Sequence, residues 1–203
     1  MTPLAPVGFD LDMTLIDSQR AILGSFAAVA ADTGVAIDPV GVRSRLGIKL
    51  EAELAHWFPP EEVDEAVRIY RGHYLTLLQP MTLLLPGAVE TLAAVRAVGA
   101  KAVVITAKAE LPARLSLESV GLDMDEVIAD AHGPEKAVVL KELGAAVYVG
   151  DTPADMAAAA MAGVHAVGVA TGSFGTAELR AAGAADVLAS LTEFPALYRE
   201  IIA

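Results

Sequence analysis

VGFDLDMT, residues 7–14, joins a short apolar run to two aspartates and a threonine. The apolar residues predict a buried strand, and Asp10 and Asp12 follow where that strand ends. Alternate side chains of an extended chain share a face, so the two carboxylates are expected to project the same way. Carboxylates that close resist burial unless a cation, a proton or hydrogen bonds offset their charge. The stretch therefore predicts a functional site at the end of the first strand.

The composition fits one domain of ordinary size, or a core domain with a modest insertion, because the chain has 203 residues. Hydrophobic residues make up 55% and aromatic residues only 5%, so the mean hydropathy of +0.53 indicates a dense core of small side chains. The most apolar stretch, residues 156–169, is too short and too weakly hydrophobic to span a membrane. The first six residues lack the basic segment and apolar core of a signal peptide, so a cytoplasmic location is expected.

The charge balance limits the classes of partner. A net charge of -12 argues against a nucleic-acid surface, where basic patches supply most of the affinity. The absence of cysteine excludes disulfides and thiolate metal sites. A small anionic metabolite still fits as a partner, because a bound divalent cation and one or two lysines reverse the field locally.

Short β-branched runs alternate with helical segments from about Pro86 onward, which predicts a parallel sheet with helices on both faces. The fold class is therefore α/β, a three-layer Rossmann-like core. The predicted strands after the first are 102–106, 126–129, 146–150, 165–170 and 186–189, and the predicted helices are 87–98, 110–120, 134–143 and 154–162.

The segment between the first strand and this alternating region is different. Helical periodicity covers residues 20–32, 49–57 and 61–78, without a strong strand signal. We therefore expect an inserted all-α cap domain at 18–84, and a core domain formed by 1–17 and 85–203.

Polar residues follow four predicted strands, at the edge where ligands bind open parallel sheets. They are Asp10 and Asp12, Thr106, Lys136, and Asp151 with Asp155. Carboxylate oxygens at neighbouring strand ends are ligands that Mg2+ prefers. One carboxylate can attack phosphorus as a nucleophile and a second carboxyl can donate a proton, while a lysine and a hydroxyl hold phosphoryl oxygens.

Each of these residues also has a purely structural interpretation. Thr106 and the turn 150–155 are compatible with helix caps, and Lys136 with a solvated helix position. The site is favoured because all four features occur in order, each after a predicted strand and with the same polarity.

Three segments resemble motifs of the haloacid dehalogenase-like superfamily of phosphohydrolases, in the form with a helical cap of the phosphoglycolate phosphatase type. Residues 8–18 are similar to the first motif, 104–108 to the second and 148–156 to the fourth. The re-entry into the core at 85–87 (LPG) is also typical of that family, so the resemblance covers nearly the whole chain.

The resemblance implies a role for each site residue. Asp10 would be the nucleophile and Asp12 the general acid and base. Mg2+ would be held by Asp10, Asp151 and the main-chain carbonyl of Asp12. The phosphate would be bound by Thr106 and Lys136, and Asp155 would orient the lysine or a metal-bound water.

The sequence departs from the family pattern at three places. Met13 stands where glycine is usual and adds bulk beside the nucleophile. Ala107 replaces a common asparagine, so a side-chain contact to substrate is lost while the main-chain amide remains. The third motif, usually Gly-Lys-Pro, is absent, and the segment from there to Asp151 is short.

Two lysines compete for the role of the missing motif. Lys136 falls in the first turn of the helix after the strand, within HGPEK at 132–136. Lys141 lies five residues further on, which rotates it by about 140° around the helix and moves it away from the strand end. This geometry favours Lys136.

Substrate-reading residues are expected in the insertion, where Arg43, Arg45 and Lys49 surround Gly47. A solvated basic helix end is the alternative. Arg45, Lys49 and Ala107 are the candidates for substrate contact.

The sequence thus predicts a Mg2+-dependent phosphatase that acts on a small phosphomonoester through an aspartyl-phosphate, with a phosphorylated metabolite as its partner and no nucleic acid or membrane. Phosphoglycolate, sugar phosphates, nucleotides and pyrophosphate all fit this chemistry. A phosphomutase of the same fold is the nearest alternative. The resemblance disfavours a dehalogenase, because relatives with that activity resemble the first motif without its second aspartate, which is present here as Asp12. A non-catalytic binding protein is disfavoured because the acid, hydroxyl and lysine set is intact.

Overall fold

A six-stranded parallel sheet forms the centre of the structure, which a computed structural model describes for residues 4–203. The first three residues of the predicted core segment 1–17 lie outside the described residues. In chain order the elements are β1 (Val7–Phe9), β2 (Ile16–Asp17), α1 (Gln19–Thr33), α2 (Pro39–Ser44), α3 (Leu50–Leu54), α4 (Pro60–Met81), β3 (Leu83–Leu84), α5 (Ala88–Ala97), β4 (Ala102–Ile105), α6 (Glu110–Ser119), β5 (Glu126–Ile128), α7 (Pro134–Leu143), β6 (Val147–Gly150), α8 (Pro153–Ala162), β7 (His165–Val169), α9 (Thr176–Ala181), β8 (Asp186–Leu188), a short 3-10 helix (Leu191–Glu193) and α10 (Phe194–Ile201).

The strands lie in the order β5-β4-β1-β6-β7-β8, with all neighbours parallel. Strand β1 is central, and its Val7 lies opposite Ala102 of β4 and Val147 of β6. These three strands are buried throughout, as expected for a sheet covered on both faces. The predicted α/β fold class is confirmed, and each predicted core strand is present with ends within one residue of the prediction.

Two apolar clusters lie on the two faces of the sheet. One contains α5, α6 and α10, and the other contains α7, α8 and α9. The C-terminal helix α10 was not among the predicted elements. Its Phe194 contacts Phe9 of β1 with the ring centroids 5.7 Å apart, so this helix covers the strand that leads to the site.

Helices α1 to α4 form the helical insertion, a name kept here for residues 18–84. They surround an apolar cluster of their own, in which the rings of Phe26 and Tyr70 lie 4.8 Å apart. Strands β2 and β3 pair antiparallel at Ile16 and Leu84, so both ends of the insertion leave the core at one place. This two-stranded pairing and helix α2 were not predicted. Within residues 4–203, every helix is too short or too polar to cross a membrane.

Candidate active site

The strand ends that were predicted to form the site do meet. Asp10 follows β1, Thr106 follows β4 and Asp151 follows β6, and all three side chains are buried. The main chain of Asp10 is tied to the neighbouring strand, because its N–H donates to the carbonyl of Val149 at 2.8 Å. The parallel register thereby fixes these polar groups at one edge of the sheet.

Of the two lysines considered for the missing third motif, Lys136 lies beside the carboxylates of the strand ends. Its Nζ donates to Oδ1 of Asp10 and to Oδ1 of Asp155, both at 2.7 Å, and its side chain is only 5% exposed. Pro134 begins helix α7, which places Lys136 in the first turn beside the strand ends. Lys141 is exposed in the last turn of the same helix, away from these carboxylates.

Asp155 is fully engaged in holding this arrangement. Its Oδ1 accepts hydrogen bonds from Lys136 and from the Tyr148 hydroxyl, and its Oδ2 accepts from the N–H and hydroxyl of Thr152 at the start of α8. Burial alone would raise the pKa of Asp155, but Lys136 and these donors lower it below its usual value. Asp155 therefore contacts the lysine that it was predicted to orient, and its role toward the lysine or a metal-bound water stays a prediction.

Asp10 and Asp151 are buried with fewer donors. Burial raises the pKa of Asp10 from 3.8 to about 7, against the lowering effect of Lys136. Burial, Asp10 and Asp155 raise the pKa of Asp151 well above its usual value, and its Oδ1 accepts from the Thr14 hydroxyl at 3.3 Å. One carboxylate oxygen each of Asp10, Asp151 and Asp155 lies within 4.8 Å of the others. Clustered hard oxygen donors with unfavourable buried charge are what a divalent cation stabilises, so the residues fit Mg2+.

Gly172 closes this carboxylate cluster on one side. A Cβ atom at Gly172 would lie 1.9 Å from Oδ2 of Asp151, far inside contact distance. The glycine is therefore required by the close approach of the chain to Asp151.

We expect Gly172→Ala to displace the Asp151 carboxylate and to weaken Mg2+ binding by about tenfold or more, as seen when the partners of metal ligands are disturbed. Isothermal titration with Mg2+ measures this change. Gly175→Ala is the matched control, because a Cβ there would meet its nearest atom at 3.7 Å. Equal Mg2+ affinity in the two variants would contradict the assignment of Asp151 as a ligand.

Met13 adopts a left-handed backbone conformation, with φ of 61°, in the turn after Asp12. Glycine enters this region without the steric cost that a Cβ brings, which explains why it is usual at this position. Here the Met13 side chain is buried, its N–H donates to Ile16 at 2.7 Å, and its carbonyl accepts from the Thr171 hydroxyl. Packing and hydrogen bonds thus hold a residue with a side chain in a conformation that favours glycine.

Asp12 lies in a separate hydrogen-bond group that the sequence did not reveal. Its Oδ1 accepts from Nζ of Lys108 at 2.6 Å and from the Ser18 hydroxyl. The same Nζ donates to the Tyr74 hydroxyl of α4 at 2.6 Å, so Lys108 connects Asp12 to the helical insertion. Burial alone would lower the pKa of Lys108, but Asp12 raises it above its usual value.

Lys108 and Tyr74 are therefore the site residues that sequence reasoning missed. Lys108 belongs to the segment 104–108 that resembles the second motif, two residues after Thr106, a spacing that places alternate side chains of extended backbone on one face. That spacing was an available signal. The sequence around Tyr74 gave no such signal, because an aromatic residue on a helix is indistinguishable in sequence from a core residue.

A cavity of about 110 Å³ lies between the helical insertion and the strand ends. Asp10, Asp12 and Thr106 line it from the core, together with the predicted substrate contacts Ala107 and Arg45. Lys49 is not among the lining residues. Its Nζ pairs instead with Glu135 of α7 at 2.8 Å, on the surface between the insertion and the core.

A model of the family described as haloacid dehalogenase-like hydrolase matches residues 7–169, which is most of the chain. The chain belongs to this family. The predicted family resemblance is confirmed, and the match includes the strand ends that carry Asp10, Thr106 and Asp151.

The similarity to the following proteins covers nearly the whole chain. The chain is 32% identical to "Probable phosphatase IndB" of Dickeya dadantii, over 98% of this chain and 100% of that protein. It is 30% identical to a plasmid-encoded phosphoglycolate phosphatase of Cupriavidus necator, over 96% and 93% of the two chains. The solved structure of a haloacid dehalogenase-like family hydrolase from Streptococcus pneumoniae has the same fold, with a TM-score of 0.83, 23% identity and coverage of 98% and 100%.

Proposed function

We propose that this chain is a Mg2+-dependent phosphatase that hydrolyses a small phosphomonoester, of the phosphoglycolate or sugar phosphate kind, through an aspartyl-phosphate on Asp10. The observation that carries the proposal is the placement of the Lys136 ammonium 2.7 Å from Asp10, beside a second buried carboxylate on Asp151. Family membership and the similarity to proteins named as phosphatases support a hydrolase of phosphoric monoesters.

In the first step, an oxygen of Asp10 attacks phosphorus and the bond to the leaving oxygen breaks. Asp12 gives its proton to that oxygen, so the product leaves as an alcohol. In the second step, Asp12 takes a proton from water, the water oxygen attacks the phosphorus of the aspartyl-phosphate, and Asp10 is regenerated with release of inorganic phosphate. Thr106 and Lys136 hold the phosphoryl oxygens through both steps.

Mg2+, when bound by Asp10, Asp151 and the carbonyl of Asp12, would neutralise phosphoryl charge and keep Asp10 ionised. The helical insertion is proposed to act as the cap domain over this site. The insertion contacts the core beside the cavity at two places. Tyr74 of the insertion contacts Lys108 of the core, and the carbonyl of Gly47 in the insertion lies 3.0 Å from Nδ1 of His132 in the core.

Metal removal should make stability depend on pH. Because Asp10 has a pKa of about 7 when folded and an ordinary value of 3.8, its protonated form contributes stability that is full below about pH 4 and lost as the pH rises through about 7. In EDTA we expect the free energy of unfolding to fall by about 1 kcal/mol between about pH 6 and pH 8, or about 3 °C in Tm.

Millimolar Mg2+ should reverse this trend, because the cation binds the ionised carboxylates and stabilises the protein more at the higher pH. Thermal unfolding followed by circular dichroism measures both effects. Asp10→Asn, which cannot ionise, is the control and should show a flatter pH dependence. A Tm shift with Mg2+ that is equal at both pH values would contradict the metal assignment.

Lys108 is proposed to position Asp12 as the proton donor. Lys108→Met should slow formation of the aspartyl-phosphate, measured by rapid acid quench, by about 10- to 100-fold for an alkyl phosphate, whose leaving oxygen needs the proton, and much less for p-nitrophenyl phosphate. Lys108→Arg, which keeps the charge, should recover part of the loss. A merely structural role would lower both rates equally, and that result would contradict the positioning role.

A further inference from the structure

We infer that the substrate's leaving group carries no negative charge: the structure favours phosphomonoesters of neutral alcohols, such as polyols or sugars, over those that bear a carboxylate or a second phosphate. This inference rests on the proposed phosphatase function. Its basis is the pairing of the cations that line the cavity. Arg45, Arg71 and Lys108 are the basic residues in the described lining, and each contacts a carboxylate.

Arg45 is the candidate that the sequence put forward as a substrate contact, and its charge is already matched. Its Nε and Nη2 donate to the two carboxylate oxygens of Glu53, both at 2.7 Å, in a bidentate pair. Glu53 also accepts from Nε1 of Trp57 at 3.1 Å, and the guanidinium lies 5.7 Å from the centre of that ring. The Glu53 side chain is 6% exposed.

Releasing Arg45 to a substrate carboxylate would leave Glu53 buried without its cation, and uncompensated buried charge is strongly unfavourable. Arg45 therefore serves as a wall of the cavity that can still donate to a neutral oxygen. Lys108 donates to Asp12 and to the Tyr74 hydroxyl, both at 2.6 Å, so two of its donor positions are already used within the protein. Arg71 pairs with Glu51 at 2.9 Å nearer the surface, where the interaction is weaker.

The total charge of the lining points in the same direction. The described lining holds five acidic residues against three basic ones, the acids being Asp10, Asp12, Glu51, Glu53 and Asp130. Mg2+ and Lys136 would be occupied by the transferred phosphate. In the described lining, a second anion on the leaving group would then face Glu51, Glu53 and Asp130, and it would have to compete with a carboxylate for each of the three basic residues.

The rest of the cavity wall on the side of the insertion is apolar. It includes Ile22, Phe26, Val42 and Leu50, with the Tyr70 side chain beside them. Burial raises the pKa of Tyr70 well above its usual value, so its hydroxyl is neutral. Such a surface packs against carbon atoms and offers few donors for a carboxylate.

Matched pairs of phosphate esters test the inference. Phosphoglycolate and 2-hydroxyethyl phosphate form one pair, and 3-phosphoglycerate and glycerol 3-phosphate form the other. In each pair the first compound has a carboxylate group where the second has a CH2OH group. Each compound is assayed for phosphate release and as a competitive inhibitor of p-nitrophenyl phosphate hydrolysis. We expect the neutral member of each pair to have a kcat/KM at least about tenfold higher or, where turnover is absent, tighter inhibition.

If the charged member of each pair had an equal or higher kcat/KM, or inhibited equally well or better, the inference would be overturned. The proposed phosphatase activity would not be affected by that result. Failure to hydrolyse p-nitrophenyl phosphate and every other ester would instead overturn the proposed function. The two failures are therefore distinguishable.

Charge-removing variants provide the second arm. Glu53→Gln frees the charge of Arg45 and Glu51→Gln frees that of Arg71, so at least one should improve kcat/KM for phosphoglycolate relative to 2-hydroxyethyl phosphate by about fivefold or more. Glu51→Gln changes an exposed pair, so this arm does not depend on the buried Glu53 variant folding. Glu65→Gln, which breaks the surface pair with Arg68 away from the cavity, is the control and should leave the ratio unchanged. An unchanged ratio in both test variants would overturn the inference.

Discussion

Asp10→Asn is expected to reduce phosphate release to background, a loss of about 10^4-fold or more, because an amide cannot attack phosphorus as a carboxylate does. The fold should survive, since asparagine has nearly the same volume and its side-chain oxygen can still accept the hydrogen bond from Lys136. Phosphate release from p-nitrophenyl phosphate measures the loss, and circular dichroism verifies the fold.

Trapping experiments separate the two aspartates. With 32P-labelled substrate and acid quench, the wild-type protein should carry label on Asp10, and Asp10→Asn should carry none. Asp12→Asn should accumulate label from an aryl phosphate, because attack on a good leaving group proceeds without the proton while hydrolysis of the aspartyl-phosphate lacks its base.

Turnover by Asp10→Asn at the wild-type rate, or label on Asp12, would contradict these roles. Formation of an isomerised sugar phosphate in place of inorganic phosphate would leave the roles of the two aspartates in place and identify a phosphomutase of the same fold.

The site could be predicted where it depends on local order along the chain. Strands of a parallel sheet present their carboxyl ends at one edge, so the positions of Asp10, Thr106 and Asp151 follow from correct strand boundaries alone. Lys136 followed from helix geometry, since Pro134 sets the first turn of α7 and five further residues carry Lys141 away.

The parts that escaped prediction depend on pairs that are distant in the chain. Lys108 meets Asp12 across 96 residues and Tyr74 across 34, and no periodicity encodes those contacts. Arg45 was a reasonable substrate contact in sequence, but its bidentate pairing with Glu53 depends on how α2 and α3 are folded together. The left-handed backbone of Met13 also escaped prediction, because the identity of a residue does not reveal its φ.

Lys136→Met is expected to lower kcat/KM by about 10^3-fold, because the ammonium that stabilises the phosphoryl oxygens is lost. The same change should lower the free energy of unfolding by about 3–5 kcal/mol, since Asp10 and Asp155 remain buried without their shared cation. Lys141→Met, in the same helix but exposed, is the matched control and should leave activity and stability near wild-type values.

A double variant distinguishes the catalytic loss from the loss of stability. Adding Asp155→Asn to Lys136→Met removes one unpaired carboxylate, so we expect it to restore part of the free energy of unfolding in urea titrations. It should restore none of the activity, because the phosphate would still lack its cation. If stability and kcat/KM recovered together, Lys136 would act only by holding the fold, and a larger loss in Lys141→Met than in Lys136→Met would transfer the phosphate-binding role to the other lysine.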